Sequence, residues 1–187
     1  MIFYGLALGI LIGAISGGRI LRLADLHLRW GWVGLAAIGL QVVLFSTPMG
    51  QAIGWLAPVG YVASTAAVLS AVLVNLRTPG MPLIAGGAVS NLAAVVANGG
   101  YMPSTASALA LAGRGDEAGY TNSVVVAHPV LAPFTDVFAI PVGVPLSNVF
   151  SVGDVLIAAG LAVLVATVMR RGYGTRVAGG GWKYPSA

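Results

Sequence analysis

The sequence predicts an all-α integral membrane protein: a five-transmembrane-helix bundle, amino terminus out and carboxyl terminus in, with a folded outer loop cap. Three observations predict it. Hydrophobic residues make up 58% of the 187 and the mean hydropathy is +0.93. Only nine Lys and Arg and five Asp and Glu are present, where soluble domains carry about 25% charged residues. Those few charges fall between apolar runs, mostly on alternate connections. The length suits one membrane domain over residues 1–187. With no cysteine, disulfides, thiolate metal sites and cysteine nucleophiles are excluded.

A membrane-crossing helix needs about 20 apolar residues, with about 17 as the short limit. Ile2–Gly18, Trp30–Thr47, Ala57–Leu76, Met81–Ala97 and Phe150–Met169 qualify. Hydrocarbon offers no partners for backbone N–H and C=O groups, so each stretch should be helical. The first is not expected to be a cleaved signal, because its arginines follow the apolar run. It carries Gly5, Gly9, Gly13 and Gly17 at four-residue intervals, a stripe that lets another helix approach closely. Gly86, Ser90 and Ala94 form a weaker stripe in the fourth span, and Ala158, Ala162 and Ala166 another in the fifth. Packing within the bundle is the first expectation for the glycine stripe. A membrane-protein partner on span one is the sharper alternative.

Arg19, Arg22 and Arg29 follow the first span, Arg77 follows the third, and Arg170, Arg171, Arg176 and Lys183 follow the fifth. The excess of Lys and Arg on the cytoplasmic side of membrane proteins therefore puts eight of the nine basic residues inside. Only Arg114 is left outside. The inner Arg19–Arg29 segment alternates leucines with charges, as an amphipathic helix at an anionic leaflet would. Residues 170–187 form an inner tail. Residues 98–149 form the outer segment, too apolar for a free linker and expected to fold over the bundle. Within it, a short helix over Ser104–Ala112 is capped by Ser104 or Thr105 and stopped by Gly113. Val124–Val126 and Phe134–Ile140 read as extended. Asn98-Gly99-Gly100 reads as a helix stop and turn, and Arg114-Gly115-Asp116 as a loop tip.

No Lys, Arg, His or Glu lies inside a span, so haem ligation, retinal chemistry and ion coupling lack their usual residues. His27 and His128 sit in connections, and no cofactor or metal is expected. Gln41, Asn75 and Asn91 read as interhelical hydrogen-bonding residues. The positive charge records membrane insertion and calls for no nucleic acid. On the outer side two acids stand apart, Asp136 and Asp154. Two nearby carboxylates share a proton, so one can act as base on a water while the other donates. The local alternative is structural: Ser151-x-x-Asp154 before an apolar run is capping-box-like, with Asp154 opposing the helix dipole.

Gly86-Gly87-Ala88-Val89-Ser90-Asn91, Asp136 and Phe150-Ser151-Val152-Gly153-Asp154 resemble, in order and orientation, the carboxyl half of lipoprotein signal peptidases. The resemblance implies an aspartyl endopeptidase with Asp136 and Asp154 as its dyad, Asn91 and Ser151 supporting. Ala94 and Ser151 stand where that family has Asp and Asn. Over the whole chain, Asn98-Gly99-Gly100-Tyr101-Met102-Pro103 and Val149–Asp154 resemble an uncharacterised bacterial family of small membrane proteins, which implies a fold and no reaction. Two functions follow. The first is a non-catalytic subunit or scaffold of an inner-membrane complex, contacting lipid and a partner through span one or the cap. The second is a peptidase acting on membrane-anchored peptides.

Overall fold

The computed structural model describes residues 1–46, 48–114 and 123–171. Most of these are helical. Five apolar helices dominate: α1 (Ile2–Ile15), α2 (Gly31–Ser46), α4 (Leu56–Leu73), α5 (Met81–Ala97) and α7 (Val152–Arg171). Two short helices, α3 (Met49–Ala52) and α6 (Ala106–Ala112), and four three-residue strands complete them. α4 and Val152–Arg170 of α7 are long and apolar enough to cross a membrane. The apolar stretches Ile2–Ile15, Gly31–Phe45 and Met81–Ala97 are shorter. The first run ends at Ile15 and not Gly18 because Gly17 turns to φ +76°. The second was expected to reach Thr47, which lies outside the described residues, as do the loop tip 115–122 and the tail 172–187. Helix α3 was not anticipated; one turn leaves no periodicity to read.

The five helices pack in the order α2, α4, α5, α7, α1. Small residues fix the two closest seams. A Cβ on Gly5 would lie 2.4 Å from the Ala158 carbonyl oxygen, one on Gly9 2.9 Å from Ala162 Cα, and one on Gly13 2.7 Å from Met169 Sδ. Both numberings rise together, so α1 and α7 run parallel. Gly80 likewise abuts Gly160, and Gly87 abuts Gly153; here one numbering falls as the other rises, so α5 and α7 are antiparallel. α2 and α4 are antiparallel too, since Gln41 Nε2 donates to Ser64 Oγ at 3.1 Å while Gly34 faces Ala71. Directions thus alternate along the chain.

The stripes need two corrections. Gly5, Gly9 and Gly13 pack within the bundle, buried against α7, but Gly17 is exposed with nothing within 4 Å and is not part of the seam. On α5, Gly86 also faces open space, and Gly80 and Gly87 make the close approach.

One end of the bundle is basic. The Arg19–Arg29 connection is a 3-10 turn, Ile20–Asp25, in place of a free amphipathic helix. Its Leu23, with Leu26 and Leu28, packs on a core of Val72, Met81, Ala85, Leu164 and Val168. Arg22 donates to the Met169 carbonyl at 3.1 Å and to that of Arg170, supplying a cation and donors to the end of α7. Asn75, at the end of α4, donates to the carbonyls of Arg29 and Ala71, each at 2.7 Å, and accepts from the Arg29 N–H at 3.0 Å.

The opposite end carries the cap. Asn98 makes the same clamp there: it donates to the carbonyls of Ala94 and Val130 and accepts from the Val130 N–H. Each asparagine thus satisfies an orphan carbonyl of its own helix while pairing both backbone groups of a distant residue. Within the cap, β1 (Met102–Ser104) pairs in parallel with β2 (Ser123–Val125), and β3 (Phe138–Ile140) pairs antiparallel with β4 (Asn148–Phe150). These strands qualify the all-α expectation. Phe134 falls in a 3-10 turn, Ala132–Phe134, so only the later part of the stretch expected to be extended is strand. Helix α6 begins where Thr105 Oγ1 accepts from the Ala108 N–H and ends at Gly113, φ +70°. Its Ala108, Leu109 and Ala112 bury against Val149 and Ala139. Tyr4 hydroxyl donates to the Pro145 carbonyl, tying α1 to the cap.

Candidate functional site

At the cap end the Gly87–Gly153 crossing draws α5 and α7 together and lets Asn91 reach the first turn of α7. A Cβ on Gly153 would lie 2.0 Å from Asn91 Oδ1, so the asparagine occupies the space the glycine leaves. Ser151, fully buried, precedes α7. Its hydroxyl accepts from the Asp154 N–H at 3.1 Å, and the Asp154 Oδ2 accepts from the Ser151 N–H at 3.1 Å. This reciprocal pair is a capping box with Asp in the acidic position. The same hydroxyl donates to Asn91 Oδ1 at 2.8 Å, and Asn91 Nδ2 donates to Asp154 Oδ1 at 2.9 Å. The result is a closed ring of hydrogen bonds across two helices. Each Asp154 oxygen accepts one bond, and each polar atom of the Asn91 amide is used.

Asp136 is held differently. It lies between the Ala132–Phe134 turn and β3, on the free side of β1. Its N–H donates to the Pro103 carbonyl at 2.9 Å, and its own carbonyl accepts from the Thr105 N–H at 3.2 Å. That makes it a parallel cross-strand neighbour of Ser104. Asp136 and Ser104 are both buried, and Thr135 beside them is fully so. The antiparallel pairing of Phe138 with Phe150 leaves Asp136 two residues before the last pair and Asp154 four residues beyond it. The turn preceding Asp136 rests on both α5 and α7.

Of the four residues singled out in the sequence, Asn91, Ser151 and Asp154 are therefore brought together by direct hydrogen bonds. Asp136 comes to the same end of the bundle on a neighbouring strand. Sequence reasoning named Gly87 and Gly153 only as motif residues and Ser104 only as a cap candidate; it missed the close approach that makes the meeting possible, and that Ser104 and Thr135 share the burial of Asp136. The glycines had a signal: each stands close to the polar residue it serves, four before Asn91 and one before Asp154. Ser104 and Thr135 had none. No cluster of three metal-ligating side chains occurs among the described residues.

A family model matches residues 25–166, 142 of the 187. The chain belongs to DUF5317, a family of unknown function. No curated protein and no solved structure matches it. The expectation of an uncharacterised family is met. The DUF5317 match takes in Asn91, Asp136, Ser151 and Asp154, both clamping asparagines and the five helices α2 to α6. It stops within α7 and leaves α1 outside.

Proposed function

We propose that this DUF5317 chain is a multi-pass protein of a bacterial inner membrane, crossing it five times with the cap outside, and that it works as a non-catalytic subunit or scaffold. The observation that carries the membrane reading is the separation of charge between the two ends of a bundle whose helices alternate in direction. Arg19, Arg22, Arg29, Arg77 and Arg170 fall at one end; among the described residues only Arg114 falls at the other. The apolar flanks support it. Ile15 is 78% exposed, and Trp32 and Leu35 are each 74% exposed, on helices that are apolar all round. Water would penalise such surfaces, and lipid would not.

The absence of cysteine makes the test direct. Single-cysteine variants Ser107→Cys in the cap and Ala24→Cys in the basic connection are exposed positions separated by three of the five helices. An impermeant maleimide added to intact cells should label Ser107→Cys, and should label Ala24→Cys only after permeabilisation. Labelling of both from one side defeats the five-crossing topology.

The scaffold reading is supported by the engagement of Asp154: its carboxylate orders a helix start and joins two helices. One observation favours a second reading, the peptidase. The strand pairing carries Asp136 and Asp154 to the same end, with Asp136 buried. The two part on one assay. Purified protein that cleaves a lipidated peptide, with loss of cleavage in both Asp136→Asn and Asp154→Asn, establishes the peptidase and removes the scaffold. Absence of cleavage by intact protein leaves the scaffold standing.

A further inference from the structure

At the basic end, α2 and α4 part to leave a groove of about 540 Å³, within the range of about 300–1,000 Å³ typical of small-molecule sites. Its walls are apolar: Leu35 and Ile38 from α2, Val68 and Val72 from α4. Gly31 and Gly34 line it, and neither is required by packing. A Cβ on Gly34 would meet Ala71 Cβ at an ordinary 3.9 Å, and one on Gly31 would meet Leu28 Cβ at 3.8 Å. The glycines of the α1–α7 and α5–α7 seams stand in contrast, since there a Cβ collides with the neighbouring helix. Gly31 and Gly34 therefore keep a space open where the others close one.

Arg29 and the exposed Trp32 are both among the residues that line this groove. Asn75, also a lining residue, holds the Arg29 backbone through both its N–H and its carbonyl, so the root of the guanidinium is fixed against the groove. Arg77 and Arg170 lie at the same end. An apolar slot lined also by a positioned cation and an exposed aromatic matches a molecule with an anionic head and a hydrocarbon tail.

We propose that the α2–α4 groove is a binding site for one anionic glycerophospholipid of the basic-side leaflet, an acyl chain lying between Gly34 and Val68 and the phosphate at Arg29. The proposal rests on the membrane reading above. The other occupants a groove of this kind could take, a zwitterionic lipid or a partner helix, are outcomes of the test.

The full chain, purified in mild detergent, is titrated with phosphatidylglycerol and, separately, with phosphatidylcholine of the same acyl chains, and bound lipid is counted by native mass spectrometry. One phosphatidylglycerol should be retained in preference to phosphatidylcholine. Arg29→Gln should weaken phosphatidylglycerol retention about fivefold, the order expected for one basic residue near an anionic headgroup, and leave phosphatidylcholine unchanged. Arg77→Gln, at the same end but outside the groove lining, should change neither. Gly34→Leu should fill the slot and abolish both.

Equal losses in Arg29→Gln and Arg77→Gln would reduce the effect to diffuse charge and overturn the site. So would full retention by Gly34→Leu, or equal binding of the two lipids. Should Gly34→Leu not fold, phosphatidylglycerol bearing a photoreactive acyl chain decides on the unaltered protein: crosslinks within residues 26–38 and 68–81 support the site, and crosslinks elsewhere overturn it. Resistance of the chain to carbonate extraction from membranes is scored in parallel. Extraction of the chain refutes the membrane reading, whereas a retained chain without the preference refutes the lipid site alone.

Discussion

The asparagines carry more of this molecule than their number suggests. Asn75 and Asn98 each use one amide to replace a missing strand neighbour, engaging the N–H and the carbonyl of a residue 46 and 32 positions away respectively. An aspartate cannot do this, because it has no donor for the two carbonyls. Asn75→Asp should therefore destabilise the fold more than Asn75→Ala, which is expected to cost about 1–3 kcal/mol for the stranded polar groups. Denaturation in detergent micelles compares them, and equal stability of the aspartate variant refutes the clamp. At the ring, Asn91→Ala and Gly153→Ala should each destabilise, since one removes the bridging amide and the other expels it. Their effects should be less than additive in a double-mutant cycle; full additivity would show that the glycine and the amide are unconnected.

At the scale of elements, the helices were the most legible feature and their mutual contacts the least. Runs of 17 to 20 apolar residues bounded by Gly, Pro or Arg can be read without any tertiary knowledge, and Met81–Ala97 matches the observed α5 at both ends. The glycine stripe of α1 was equally plain. What spacing does not reveal is which small-residue faces meet, because a chain with three such stripes allows several pairings of similar merit. Gly80, Gly153 and Gly160 lay outside any four-residue series, so spacing gave no sign that they govern the α5–α7 crossing. The Ser151–Asp154 half of the ring was legible as a local cap. Its Asn91 half, sixty residues upstream, was legible as an interhelical hydrogen-bonding residue, but only family resemblance set it beside Ser151 and Asp154. The packing yields a paired expectation. Gly9→Leu should wedge α1 from α7 and cost about 1–3 kcal/mol or more. Gly86→Leu, facing open space, should be neutral or mildly stabilising through helix propensity. Thermal melting of both variants is the check, and similar losses would mean that the assigned seam is wrong.

For the whole molecule, five apolar helices, a basic end and a capped end form one consistent arrangement. The basic residues do two jobs there. Arg22 is committed to the end of α7, while Arg29 and Arg77 lie on connections that would set orientation in the membrane reading proposed above. Replacing Arg19, Arg29 and Arg77 together by Gln should blur the sidedness of the chain without undoing its helices. Maleimide labelling of Ser107→Cys in that background would then divide between the two faces of the membrane. Unchanged one-sided labelling would show that the remaining basic residues are sufficient. The cap was anticipated as a folded layer, but its strand pairings were not, since three-residue strands leave too short an alternation to recognise.

The parallel seam between α1 and α7 has a consequence in time. It joins two helices that lie far apart in the chain, so in the membrane reading proposed above the glycine face of α1 waits in the bilayer until α7 has been made. Until α7 arrives, Gly5, Gly9 and Gly13 present bare backbone to lipid or to any other small-faced helix nearby. Arrival of α7 is thus what withdraws that adhesive surface. A nascent or truncated chain ending before Val152 should be the form that associates promiscuously with its neighbours.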